Sequence, residues 1–117
     1  MVTHRRPRRW AIGFEIVYAP ADDDGAILGG DHVATNSGYA AFLLYLGRLG
    51  SRFPELAALS EQGASGDPPQ LENELRRLLH ARPGSPSEDV LSVAKRLLKA
   101  VERRPQGTAA VGVTDGT

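Results

Sequence analysis

Cysteine is absent from the 117 residues of this chain, and methionine and tryptophan occur once each. Without thiols the chain has no disulfide framework, no Cys-ligated zinc site, no thiolate-held iron–sulfur cluster and no thiol nucleophile. Long apolar runs are also missing: the longest, Tyr39–Leu46, has eight residues, whereas a bilayer-spanning helix needs about 20. The sequence therefore predicts no transmembrane helix and no membrane partner.

The overall composition is that of an ordinary soluble globular protein. Its length suits a single domain, and its 41% hydrophobic and 24% charged residues are unlike those of a disordered or membrane chain. The basic N-terminal stretch is followed by Gly13 and Glu15, which do not fit the apolar core of a signal peptide. We therefore expect a cytoplasmic protein, and the lack of cysteine is compatible with that compartment.

The zero net charge conceals two segments of opposite sign. Four arginines lie within residues 1–9, and four aspartates lie between residues 20 and 40. The segment 1–9 has no apolar periodicity, so we expect a flexible basic arm. Residues 10–104 are predicted to form one globular domain. Residues 105–117 are small and rich in Gly and Thr, and they are predicted to be a disordered tail unless Ala109–Val113 pairs with a strand.

One segment carries a clear strand pattern. From Trp10 to Tyr18, large residues alternate with smaller ones, which is the period of a half-buried strand. This predicts an N-terminal β-strand over about residues 10–19. An isolated strand leaves its backbone groups unpaired, so it needs a partner. The candidates are Ala26–Val33, Ala109–Val113 and the same strand of a second subunit.

The remainder of the chain is predicted to be helical. An acidic loop follows the strand, and helices are then expected at 38–49, 54–62, 68–81 and 86–103 from the apolar periodicity, the Pro and Gly positions and the capping residues. Asn36 or Ser37 is expected to cap the first helix, and Ser85 with Glu88 has the spacing of a capping box for the last. The predicted fold class is α+β, mostly α, with the last two helices forming an αα-hairpin.

Surplus apolar surface favours a non-catalytic protein-interaction module of adaptor, regulatory or immunity type. The first helix is apolar on more than one face, because Leu44 and Tyr45 lie outside its main apolar stripe. The predicted interface consists of Trp10, Phe14, Leu44 and Tyr45. The partner is another protein or a second copy of the chain. A homodimer that pairs the strand Trp10–Tyr18 across a two-fold axis would give the strand a partner and cover the surplus apolar surface.

Nucleic-acid binding is an alternative hypothesis. It uses the residues of the basic arm and the aromatic residue that follows it, namely Arg5, Arg6, Arg8, Arg9 and Trp10. Arginines can contact phosphates and the indole can stack on a base. Against this, the rest of the chain has no net positive charge, and such an arm is also typical of a solubilising terminus or of a segment that folds onto the acidic loop.

A divalent-metal site is a second alternative, with Asp22, Asp24, Asp31 and His32 as its ligands. Carboxylate oxygens suit Mg²⁺, Ca²⁺ or Mn²⁺, and imidazole suits Mn²⁺ or Zn²⁺. The calcium-loop pattern fails, however, because its first ligand position falls on Pro20. A solvated acidic turn accounts for the same residues, since Asp and Gly favour loops for backbone reasons.

No catalytic motif is found. The nucleophile elbow G-x-S-x-G, the phosphate-binding loop and the dinucleotide fingerprint are all missing, and the three histidines have no zinc-protease spacing. The sequence predicts no cofactor and no catalytic residue, and it does not indicate an enzyme.

Overall fold

The computed structural model describes residues 13–20, 28–59 and 65–115. Within these ranges the chain is an α+β structure, with a four-stranded antiparallel sheet and four α-helices. In chain order the elements are β1 Gly13–Pro20, β2 Gly29–Thr35, α1 Asn36–Leu49, a 3₁₀ turn Gly50–Arg52, α2 Pro54–Leu59, β3 Ser65–Gly66, α3 Pro68–Ala81, α4 Glu88–Glu102 and β4 Thr108–Asp115.

The sheet has the strand order β2-β1-β4-β3. The N-terminal strand β1 pairs along one side with β2 and along the other with β4, with Ile16 opposite both Asp31 and Val113. β3 is a two-residue strand that pairs with β4 at Gly112 and Val111. All strand pairs are antiparallel, so the sheet contains no parallel pair that would require a crossover connection.

Strands are not confined to the N-terminal part of the chain, which corrects two sequence expectations. Residues 108–115 form β4 in the interior of the sheet, so the tail predicted from residue 105 is structured over that stretch, and the pairing alternative for Ala109–Val113 is confirmed. Both edges of β1 are occupied by strands of the same chain. The homodimer predicted from an unpaired strand Trp10–Tyr18 therefore loses its basis, since the described part of that strand, Gly13–Tyr18, has no free edge.

The sheet buries one face and leaves the other open. Ile16, Tyr18 and Val111 are fully buried, and they belong to one core cluster with residues of all four helices. Glu15, Val17 and Ala19 alternate with the buried residues of β1 and are only partly buried. This is the two-residue period of a sheet with its core on one side, and it confirms the pattern read from the sequence.

Helix α1 begins two residues earlier than predicted. Thr35, the last residue of β2, caps it through a 3.1 Å bond in which the Gly38 N–H donates to Oγ1. The prediction placed the cap at Asn36 or Ser37. Because β2 continues directly into α1, the extended backbone needed by an N-cap residue falls on Thr35 instead. The buried side of α1 is formed by Tyr39, Phe42, Tyr45 and Leu46.

Helices α2 and α3 are joined by a buried carboxylate. The Glu74 side chain, 5% exposed, accepts from the backbone N–H of Glu55 at 3.1 Å and of Leu56 at 3.0 Å. These are free donors of the first turn of α2, so Glu74 does the work of a capping residue from a neighbouring helix. The position of α2 is thereby fixed by α3.

Helices α3 and α4 pack against each other with opposite directions. Arg76 of α3 bonds Glu102 in the last turn of α4 at 2.8 Å, and Arg104 bonds Glu72 at 2.5 Å. The bounds of α3 agree with the prediction of 68–81. Helix α4 begins at Glu88 with Ser87 as its cap, not Ser85, because Ser85 has a φ of 54° in the turn that precedes the helix.

One buried tyrosine connects the sheet to α4. The Tyr18 hydroxyl lies 2.6 Å from Oδ2 of Asp31 and 3.0 Å from the carbonyl oxygen of Ala100. Burial raises the pKa of Tyr18, and the hydrogen bond to Asp31 adds to the effect. β1, β2 and the end of α4 are thus held together at one point.

No helix among the described residues is long and apolar enough to cross a membrane.

Candidate functional site

The outward side of α1 carries the most exposed large hydrophobic residue in the described part of the chain. Leu44 is 71% exposed, more than any other large hydrophobic residue there. Ala40 and Gly47 lie four residues before and three residues after it, and both are exposed. Residues at these spacings share one side of a helix. We call Ala40, Leu44 and Gly47 the α1 outer face.

Gly47 contributes a specific property to this face. A Cβ atom built at Gly47 meets nothing within 4 Å, and its φ is not positive, so neither packing nor backbone geometry within the described residues requires glycine. Glycine inside a helix costs about 1 kcal/mol relative to alanine. Nothing within the described residues therefore explains why glycine is present here. Because Gly47 has no side chain, another backbone can approach the helix closely beside Leu44.

Tyr45, which the sequence places on the same surface as Leu44, lies elsewhere. It is 1% exposed, and its hydroxyl donates to the carbonyl oxygen of Pro83 at 2.5 Å. Burial raises the pKa of Tyr45, while the positive charges of Arg48 and Arg52 act in the opposite direction. The connection between α3 and α4 thus covers Tyr45, and of these two residues only Leu44 is exposed.

The other two predicted interface residues do not add to this face. The Phe14 ring stacks on Tyr39, with ring centroids 4.2 Å apart, and is partly buried. An aromatic pair at this distance stabilises the fold itself. Trp10 lies outside the described residues, as do Arg5, Arg6, Arg8 and Arg9 of the nucleic-acid alternative.

A basic depression lies at the C-terminal end of α1. It has a volume of about 290 Å³ and is lined by Tyr45, Arg48, Leu49, Arg52 and Gly84. Neither arginine forms an ion pair with any described residue, in contrast to Arg76 and Arg104. Two guanidinium groups thus stand beside an apolar floor, with no carboxylate in the lining. We call Arg48 and Arg52 the arginine pair.

The arginine pair was missed in the sequence reading, although a signal exists. The stretch from His32 to Pro54 contains no acidic residue, and Arg48 and Arg52 are its only Lys or Arg residues. Arg48 has no carboxylate three or four residues away on either side, and the carboxylate at this spacing from Arg52, that of Glu55, accepts from the Asp67 N–H instead.

A second depression differs in charge. It has a volume of about 200 Å³ and lies between the start of α1 and α4; its lining is Ala34, Thr35, Ser37, Gly38, Asp89, Ser92, Val93 and Arg96. Here a carboxylate and a guanidinium line the same space. The lining of this second depression contains one carboxylate and one guanidinium group, whereas the lining of the basic depression contains two guanidinium groups and no carboxylate.

The predicted metal ligands are not brought together where the structure describes them. Asp31 lies on the side of the sheet that faces α4, where it accepts from Tyr18. His32 is opposite Glu15, on the open face. Asp22 and Asp24 lie outside the described residues. Among the residues that the structure covers, no group of three or more His, Asp or Glu side chains is placed to hold a metal ion.

Comparison with family models, with curated proteins and with solved structures gave no match to this chain.

Proposed function

We propose that this protein is a small non-catalytic interaction module, of adaptor, regulatory or immunity type, that binds a protein partner or a second copy of itself through the α1 outer face. The observation that carries the proposal is the 71% exposure of Leu44 on a helix whose opposite side is the core. Full burial of a leucine side chain is worth about 1.5–3 kcal/mol. That contribution is available to a partner and is largely unused within the chain.

The surroundings of Leu44 support helix docking in particular. Ala40 and Gly47 are small and exposed, so a facing helix or strand can approach α1 closely and contact Leu44 from both sides. Close packing of a partner backbone against Gly47 would explain why glycine is present there despite its cost to helix stability. An exposed leucine between small residues can enter an apolar pocket of the partner, where burial of its side chain is favourable.

The experiment compares two exposed leucines. Leu44→Ser removes the proposed anchor, and Leu28→Ser is the matched control, because Leu28 is 41% exposed and lies outside α1. Each protein is first checked for unchanged helix content by circular dichroism. Self-association is then measured by sedimentation at tens of micromolar. Partners are recovered by affinity capture, identified by mass spectrometry, purified and titrated against each variant.

We expect Leu44→Ser to weaken self-association or binding of the purified partner at least about tenfold, as is typical of an interface anchor, and Leu28→Ser to leave it unchanged. A strictly monomeric protein, with no purified partner whose affinity depends on Leu44, would contradict the proposal. Equal weakening by both substitutions would contradict it as well, since the binding surface would then not be α1.

A further inference from the structure

Arg48 and Arg52 are cations without a counterion in the described structure. Three of the other described arginines have a partner within the chain: Arg76 bonds Glu72 and Glu102, Arg104 bonds Glu72, and the guanidinium of Arg77 lies 5.2 Å from the centre of the Phe53 ring. The arginine pair has no such contact, although it faces a depression large enough for a side chain. Its charge therefore remains available to a molecule outside the chain.

The depression favours an anion that carries an apolar portion. Its apolar lining consists of Leu49, which is partly exposed, and Tyr45, which is 1% exposed and lies beneath it; Gly84 adds no side chain to the lining. Guanidinium groups bind carboxylates through two parallel hydrogen bonds. A glutamate or aspartate side chain, with its short apolar stem, matches both parts of the site.

We infer that the arginine pair binds a carboxylate-bearing segment of the partner protein, so that the partner presents an apolar residue to Leu44 and an acidic residue to Arg48 and Arg52. This inference rests on the proposed function. Leu44 and Arg48 are one helical turn apart, so neighbouring residues of one partner segment reach both. Charge complementarity of this kind selects the partner and its orientation more than it raises affinity.

A protein carboxylate fits better than the phosphates of a nucleic acid. The described residues include ten Lys or Arg and ten Asp or Glu, so this part of the chain has no excess of positive charge to attract a polyanion. Tyr45, the aromatic residue at the site, is buried and presents no open ring for a base to stack on. Two arginines beside an apolar floor suit one or two carboxylates.

A purely internal role for Arg48 makes a different prediction. Arg48 lies in the last turn of α1, where a cation stabilises the negative end of the helix dipole. Arg52 lies beyond that helix, in the 3₁₀ turn, and has no such role in α1. If the arginines served only the helix end, Arg48→Gln would lower the melting temperature and neither substitution would change binding of an anion.

The test uses the full chain and a defined probe. Acetylated, amidated tetraglutamate is titrated into the ¹⁵N-labelled protein, and the arginine Nε–Hε signals and the Gly84 amide are followed by NMR. Tetraglutamine is the uncharged control peptide. The variants are Arg48→Gln, Arg52→Gln and their combination, with Arg96→Gln as the matched control, because Arg96 lines the depression that also contains Asp89.

We expect saturable shifts at Arg48, Arg52 and Gly84 with tetraglutamate and none with tetraglutamine. Each single substitution should weaken binding about fivefold, the upper range for an exposed ion pair, and the double substitution should abolish it. Binding should also fall with added salt. Arg96→Gln should have no effect.

Failure of this inference can be told apart from failure of the proposed function. Leu44→Ser should leave tetraglutamate binding unchanged while it weakens partner binding, so each surface has its own readout. The inference is overturned if tetraglutamate moves no signal, if it moves Arg96 as much as Arg48 and Arg52, or if Arg48→Gln and Arg52→Gln leave its affinity unchanged. Tighter binding of oligothymidylate at the same arginines would overturn it in favour of nucleic-acid phosphate.

Discussion

Replacing Glu74 tests whether one buried carboxylate holds α2 in place. The side chain is 5% exposed and accepts two backbone N–H groups, of Glu55 and Leu56, that have no helical partner. Alanine would leave both donors without an acceptor, and a buried unsatisfied donor costs about 1–3 kcal/mol. Allowing for partial access of water at Glu55, we expect Glu74→Ala to lower the free energy of unfolding by about 2–4 kcal/mol. This is a large part of the stability of a domain of this size.

Glutamine at the same position separates hydrogen bonding from packing. Glu74→Gln keeps the side-chain volume and one acceptor oxygen, but its NH₂ group faces a backbone donor, so we expect a loss of about 1–2 kcal/mol. Glu102→Gln is the control, because its ion pair with Arg76 is exposed and is worth at most about 1 kcal/mol. Urea unfolding followed by far-UV circular dichroism gives the free energy of unfolding of each variant. We expect the dependence of this free energy on urea concentration, the m-value, to be unchanged. A Glu74→Ala protein within about 0.5 kcal/mol of the wild type would refute the reasoning.

Two further predictions concern glycine and tyrosine. Gly47→Ala should raise the free energy of unfolding by about 0.5–1 kcal/mol, since the added methyl group contacts no other atom. Gly84→Ala should lower the free energy of unfolding by at least about 1 kcal/mol, because φ is +73° at this position. Thermal denaturation of both variants checks these values, and a stabilised Gly84→Ala protein would contradict them. Burial raises the pKa of Tyr39 from 10.0 to about 12. The unfolded chain therefore ionises first, so stability is fully present below about pH 10 and is lost as the pH rises toward 12, by up to about 2.7 kcal/mol. In urea titrations at these pH values Tyr39→Phe should lose less stability than the wild type, and an identical loss would contradict the assignment.

Local signals in the sequence predicted some elements well. The bounds of α3 were correct because Asp67 and Pro68 mark its start within the segment itself, and Asp67 caps it by accepting from the N–H of Gln70. The strand character of β1 was likewise visible, because its alternation is complete within eight residues. Such signals need no information about the rest of the chain.

Other elements depend on partners that are distant in sequence. β4 contains Ala, Gly and Thr with only two valines, so its local signal allows either a strand at Ala109–Val113 or a disordered tail; pairing with β1 makes it a strand. Leu44 and Tyr45 are adjacent apolar residues of one helix. Tyr45 is buried on the core side of α1 and bonds the Pro83 carbonyl oxygen, whereas Leu44 is exposed. The sequence therefore predicts apolar surface on α1, but not which side of the helix is exposed.

The strand order of the sheet also has a consequence for how the protein is made. The two central strands, β1 and β4, come from opposite ends of the described chain, and all other described elements lie between them in sequence. During synthesis β1 can pair with β2 early, but its second edge stays open until β4 has left the ribosome. Closing so long a loop is slow compared with helix formation. An open strand edge attracts other chains meanwhile, so a chain that stalls before residue 108 exposes the same edge that β4 covers in the finished protein.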